Sequence, residues 1–298
     1  MKNSPFSIHN LNPGLVEEVE YAYAKNVEAG RVVDDTFAGD VAVDSLADIL
    51  KHSVKNEAER SIIEGFDAIA NPDTREAFGN TFNLEETLFE RVGLTVPHAE
   101  VFTEAGVDFV ELAAKYEKML NDGLEPAVVI APYHGSLDTW KNLYNALAKD
   151  SSSTITQRHS NNGIMVDGGV ESQWTRLDSL PINAYPTAVT NGYSHDIPWT
   201  IRVIPCSEAP SKFNINYRAD NALHPSIAEY LTLQATRAQS GKKLIDTRSY
   251  TWLKGIIPVA GANFALYGNS VESSGTINIG YIDEDEELDT VGSRHPQW

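Results

Sequence analysis

Residues 128–140, Val-Val-Ile-Ala-Pro-Tyr-His-Gly-Ser-Leu-Asp-Thr-Trp, join a short apolar run to an amphipathic one, and their reading decides the fold. Ala127 to Ala131 has the length and composition of a buried strand. Ser136 then stands where a helix N-cap belongs, and Asp138 lies in the first turn, where a carboxylate complements the helix dipole. Trp140, Leu143, Tyr144 and Leu147 follow at helical spacing on one face. Upstream, Phe109, Leu112, Ala113, Tyr116 and Leu120 form another helical stripe that closes at Gly123. A strand between two helices predicts an α/β unit.

Further out, the first half reads as helical. Leu15, Val16, Val19, Tyr23 and Val27 make a stripe ending at Gly30. Ser45 and Asp48 have capping-box spacing ahead of Leu46, Ile49, Leu50, Val54, Ala58 and Ile62, with Gly65 as the stop. Asn83 with Glu86 predicts a helix start before Leu84, Leu88, Phe89 and Val92. Near residue 150 the chain turns rich in Ser, Asn, Gly and Pro. Strands are expected where residues alternate, as in Trp199, Ile201 and Val203 against Thr200 and Arg202, and in Phe213, Ile215 and Tyr217. Ser226 and Glu229 form a capping box that opens a helix ending near Gly241, and residues 263–267 and 276–281 predict a hairpin around Gly268 and Gly275. The expected fold is α+β or mixed α/β: a mainly helical region 1–150 around a buried strand, a loop-rich region 151–282 with strands and one helix, and an acidic tail 283–298.

Charge excludes some partners. With 42 acidic against 23 basic side chains, the net charge of -19 repels nucleic-acid phosphates and anionic lipid, and it opposes self-association unless ions screen it. The single cysteine, Cys206, excludes an intrachain disulfide framework and any Cys-rich zinc module, and fits a reducing compartment. The first residues, Met-Lys-Asn-Ser-Pro-Phe, lack the apolar run of a secretory signal, so synthesis in the cytoplasm is expected. No apolar segment is long enough for a membrane span.

Candidate chemistry centres on the same stretch. A loop at the carboxyl end of a strand is where α/β sheets bind ligands, which makes His134 and Asp138 catalytic candidates, with His195 joining them from the loop around 195. Each already has a structural role in the turn or helix, and Asp138 stands where the last glycine of a Gly-x-Ser-x-Gly elbow would be. The spacing of His134 and Asp138 lacks a second histidine for a metal site, and no phosphate loop is present, so neither metal nor cofactor is expected. The run Asp283 to Asp289 (DEDEELD) is the strongest local charge feature. Asp283, Asp285, Glu287 and the aromatic Trp298 are candidates for docking on a neighbouring subunit.

The order of a short helix, Gly30-Arg-Val-Val-Asp34, a long helix ending in Ile62-Ile-Glu-Gly65, and later a helix, the strand Ala127–Ala131 and a Trp-bearing helix resembles tailed-phage capsid and encapsulin shell subunits over at most half of the chain. It departs from them in placing only about ten residues between Asp34 and the long helix, where those shells carry a long β arm, and in its last hundred residues. The resemblance implies a structural role. The leading expectation is therefore a non-enzymatic assembly subunit of a virion or similar particle, partnered by copies of itself or other assembly proteins. The alternatives are a hydrolase or ligand-binding enzyme with a site near His134, and a sugar-binding module presenting Trp199, Tyr250 and Trp252.

Overall fold

The computed structural model describes residues 66–155, 163–179, 186–190, 197–210, 212–213, 224–259, 261–271, 273, 275–283 and 290–297. All belong to one compact unit, Ile62–Trp298; a second unit, Met1–Ser61, lies outside the described residues, as do the stripe ending at Gly30 and the helix expected after Ser45.

Helix α1 spans Pro72–Glu90. The Asn71 side chain caps it, accepting from the Asp73 and Thr74 amides, and Pro72 supplies the fixed φ of a first helical residue. The start expected at Asn83 is thus twelve residues too late, since the cap is Asn71: the helix runs straight through Asn83, because nothing between Pro72 and Asn83 breaks it. Helices α2 (Ala99–Glu104) and α3 (Phe109–Asn121, capped by Asp108) follow. Phe66, Phe78, Phe82, Phe102 and Phe109 meet edge to face or tilted at ring separations of 5.0–6.3 Å and bind the three helices together.

Strand β1 (Pro126–Pro132) leads through the turn 133–136 into α4 (Leu137–Lys149), as its sequence predicts. After it come β2 (Ile164–Val166), α5 (Gly168–Ser172), α6 (Trp174–Ser179), β3 (Ala188–Thr190) and β4 (Ile197–Pro205). Strands β1, β4 and β3 form an antiparallel sheet in that order. β1 pairs with β4 along its whole length, so this sheet joins strands from either side of the composition shift near 150. The alternation in β4 does not mark a solvent face either: Thr200 and Arg202 are as buried as Trp199, Ile201 and Val203.

The open edge of β1 is closed by chemistry. The Tyr133 amide donates to Pro198 O and the Cys206 amide to Glu125 O, so the odd-numbered backbone groups face β4 and the even-numbered ones face outward. On that side Pro126 and Pro132 have no N–H, and the Ile130 amide donates to Glu85 Oε2 from α1 at 3.0 Å. Burial drives the Glu85 carboxyl well above its usual range. Below about 4.5 Glu85 is protonated in both the folded and unfolded chain and its contribution is complete; above that, the unfolded chain releases the proton and the fold retains it. Stability therefore falls as pH rises, by about 1.4 kcal/mol per pH unit from this group until its folded pKa is reached. Glu85→Gln should flatten that slope in urea unfolding across acidic to neutral pH.

Helix α7 (Ile227–Gln239) begins at the capping box of Ser226 and Glu229, as expected. It packs on β1, α1 and α4 and on β6 (Tyr250–Val259) and β8 (Thr276–Asp283), and Ile227 to Ala235 are all buried. The second sheet has the order β2-β8-β7-β6-β9-β5, built from β5 (Lys212–Phe213), β6 (Tyr250–Val259), β7 (Ala262–Val271), β8 (Thr276–Asp283) and β9 (Val291–Ser293). The expected hairpin is β7–β8, turning at Gly275. Gly268 is not at a turn: it sits inside β7 under the Tyr230 ring of α7, where an added Cβ would lie 2.4 Å from a ring carbon.

Part of the segment expected to be a tail, 283–298, is a strand. β9 pairs with β6 and β5, and beyond it the Gln297 backbone exchanges two hydrogen bonds of 2.8 Å with Val203 of β4. Residues 291–294 are buried, so this segment ties the two sheets together. Asp283 ends β8 and is exposed, whereas Asp285, Glu287 and Trp298 lie outside the described residues. Among the described residues no helix is long and apolar enough to cross a membrane.

Candidate functional site

The turn from β1 to α4 is built as its residues dictate. Ser136 caps α4, accepting from the Thr139 amide at 3.1 Å, and Asp138 occupies the first helical turn. His134 takes a left-handed φ of 62°, a conformation that costs a side-chain-bearing residue energy and turns its imidazole outward to solvent. Asp138 is also exposed, and neither side chain makes a hydrogen bond or ion pair among the described residues. The structure does not join the two into a working pair, and His195 lies outside the described residues.

Beneath the turn are groups that spacing could not reveal. Trp174 of α6 donates its indole N–H to Gly135 O at 3.0 Å. Asp178 on the same helix is 2% exposed; burial raises its carboxyl to about 7, opposed by the His134 and Gly135 amides. On the inner side, the buried Tyr133 hydroxyl lies 3.0 Å from Ser226 Oγ and accepts from Thr200 Oγ1 at 3.1 Å. Ser226 in turn shares Glu229 with Arg202: the carboxylate accepts the Ser226 amide at 2.7 Å and grips the Arg202 guanidinium through both oxygens. The capping-box spacing was visible in the sequence. The second role of Glu229, neutralising a strand arginine, carries no local signal.

A second buried network fastens the C-terminal segment. Arg294 reaches Asp246 with Nη2 at 2.6 Å, Thr251 Oγ1 with Nε at 2.8 Å, and the Pro205 and Ser207 carbonyls with Nη1 at 3.0 and 2.8 Å. Nearby, His224 Nδ1 lies 2.9 Å from Ser293 Oγ, a pairing reminiscent of a nucleophile and its base. Both residues have no solvent exposure, so no substrate reaches them.

Other readings meet burial in the same way. Trp199 and Trp252 are sealed in the interior and have no ring face for a sugar, while Tyr250 packs edge-on against Tyr267 at 5.1 Å. A cleft of about 280 Å³ between α1 and the C-terminal end of α7 holds Tyr116, Cys206, Thr236, Arg237 and Lys242. Its Arg237 is already bonded to Glu125 at 3.0 Å, and burial pushes the Cys206 thiol up to about 11, which leaves it unreactive at neutral pH. Among the described residues no group of three or more His, Cys, Asp or Glu side chains could hold a metal ion. No protein-family model, curated protein or solved structure matches the chain.

Proposed function

We propose that the chain is a structural subunit that assembles with copies of itself or with other assembly proteins, as part of a virion or similar particle. What supports the reading is the way the C-terminal segment is used. Arg294 and the Gln297–Val203 pairing bind residues 290–297 into both sheets, giving the rigid scaffold that a subunit transmitting force to its neighbours needs. Charge is spent in the same way: two fully buried ion pairs, Arg202–Glu229 and Arg294–Asp246, join distant segments of chain and are closed to any ligand. The resemblance to capsid and encapsulin shell subunits points in the same direction. Sedimentation of the purified chain tests the proposal: species much heavier than the 32.8 kDa monomer are expected.

The second reading is an enzyme or ligand-binding protein at the β1–α4 turn. It is favoured by one observation, a buried carboxyl poised near neutrality under an exposed histidine, because perturbed acids concentrate at functional sites. A chain that stays monomeric at all concentrations would favour this second reading.

A further inference from the structure

Among the described residues, neither carboxyl oxygen of Asp178 has a hydrogen-bond partner, although the side chain is buried on the six-residue helix α6. A buried polar group left in that state calls for a physical reason. The backbone N–H groups of His134 and Gly135 are close enough to favour its charged form. Those amides belong to a turn held in a strained shape, with His134 in the left-handed region. Trp174, one turn earlier on α6, already holds the turn by its bond to Gly135 O, and that bond is between neutral groups. One short helix thus fixes the turn at one point and faces it with an ionisable group at another.

We propose that Asp178 is a proton-operated latch on the β1–α4 turn: protonated, it leaves the His134 and Gly135 amides unbonded; ionised, it draws both onto its carboxylate and reorients the exposed His134 side chain. Hydrogen bonds from amides to a carboxylate are short and strong, so a small movement of the turn is enough to form them. With the group raised to about 7 by burial, both states are populated near neutral pH. The surrounding charges do not set this balance. Glu229 of α7 is matched by Arg202, and Glu171 of α5 by Lys141 of α4. Arg176, on α6 itself, donates to Gln173 and to Ile256 O, while Tyr133 is engaged with Ser226 and Thr200. Tyr230 on α7 is bonded to Gln234 and Tyr144 on α4 to Leu231 O; Lys149 on α4, Arg237 on α7 and Lys254 and Tyr250 on β6 are further charged and titratable groups of the neighbouring elements, with His134 and Asp138 on the solvent side. None of these contributes to the shift at Asp178, which comes from burial opposed by the two amides. The latch does not depend on which functional reading holds.

The test is amide NMR on the full chain titrated across neutral pH, with His134→Ala and Asp178→Asn as companions. In the wild type the Gly135 amide should shift downfield with a midpoint of about 7. Its hydrogen exchange, taken relative to the intrinsic rate at each pH, should slow by about ten- to a hundred-fold, the factor matching a hydrogen bond to a charged group. The titration should survive in His134→Ala and vanish in Asp178→Asn. A Gly135 amide that is flat across neutral pH overturns the proposal. So does a titration that persists in Asp178→Asn or disappears in His134→Ala, since another group would then be responsible. If Asp178→Asn does not fold, the wild type and His134→Ala decide the question between them.

Discussion

Replacing Arg294 with alanine should lower the unfolding free energy by about 3–5 kcal/mol, the cost of removing one partner of a buried ion pair. The loss has three sources. Asp246, with no solvent exposure and a left-handed φ of 59°, would keep a buried charge without a cation, with hydroxyls such as those of Ser249 and Thr251 to stabilise it. The Pro205 and Ser207 carbonyls would lose their donors. The segment that carries Gln297 to β4 would lose its anchor. Arg294→Lys should recover little, because a single ammonium cannot serve all of these acceptors from the position of a planar fork. Urea unfolding at neutral pH measures the effect; a loss below about 1 kcal/mol, the range of an exposed pair, would show that the segment is not held as described.

A comparable loss is expected from Glu229→Gln. The amide retains an acceptor for the Ser226 N–H, so the helix cap is largely preserved, but the Arg202 guanidinium is left charged in a fully buried position. The expected cost is again about 3–5 kcal/mol. Replacing both residues by apolar ones, Arg202→Met with Glu229→Leu, removes the two charges together and should cost less than Glu229→Gln alone; about 1 kcal/mol of what remains belongs to the lost capping box. A double-mutant cycle by chemical unfolding separates these contributions. Additive single losses would mean that the two side chains are not coupled.

These two networks also show where the sequence was legible. Helix α7 was readable because Ser226 and Glu229 lie three residues apart, within reach of the same helix end. The β1–turn–α4 unit was readable for the same reason: strand, cap and amphipathic stripe are all local patterns. Local reading failed wherever a partner came from far along the chain. Thr200 and Arg202 looked like the solvent side of β4 because nothing near them announces Tyr133 or Glu229. Arg294, in a polar stretch after an acidic run, looked like the end of a tail because Asp246 lies 48 residues away and Pro205 89. Of the candidate site, the placement of His134, Ser136 and Asp138 on the turn was legible. Trp174 and Asp178, which determine what the turn can do, come from another helix and were not.

Whether this chain is an assembly subunit is decided by sedimentation velocity of the whole chain at low and high salt. A net charge of -19 repels like copies, and added ions screen that repulsion. Species much heavier than 32.8 kDa are expected, with a share that grows with protein concentration and with salt. A single species at the monomer mass under every salt and concentration condition would contradict an assembly role.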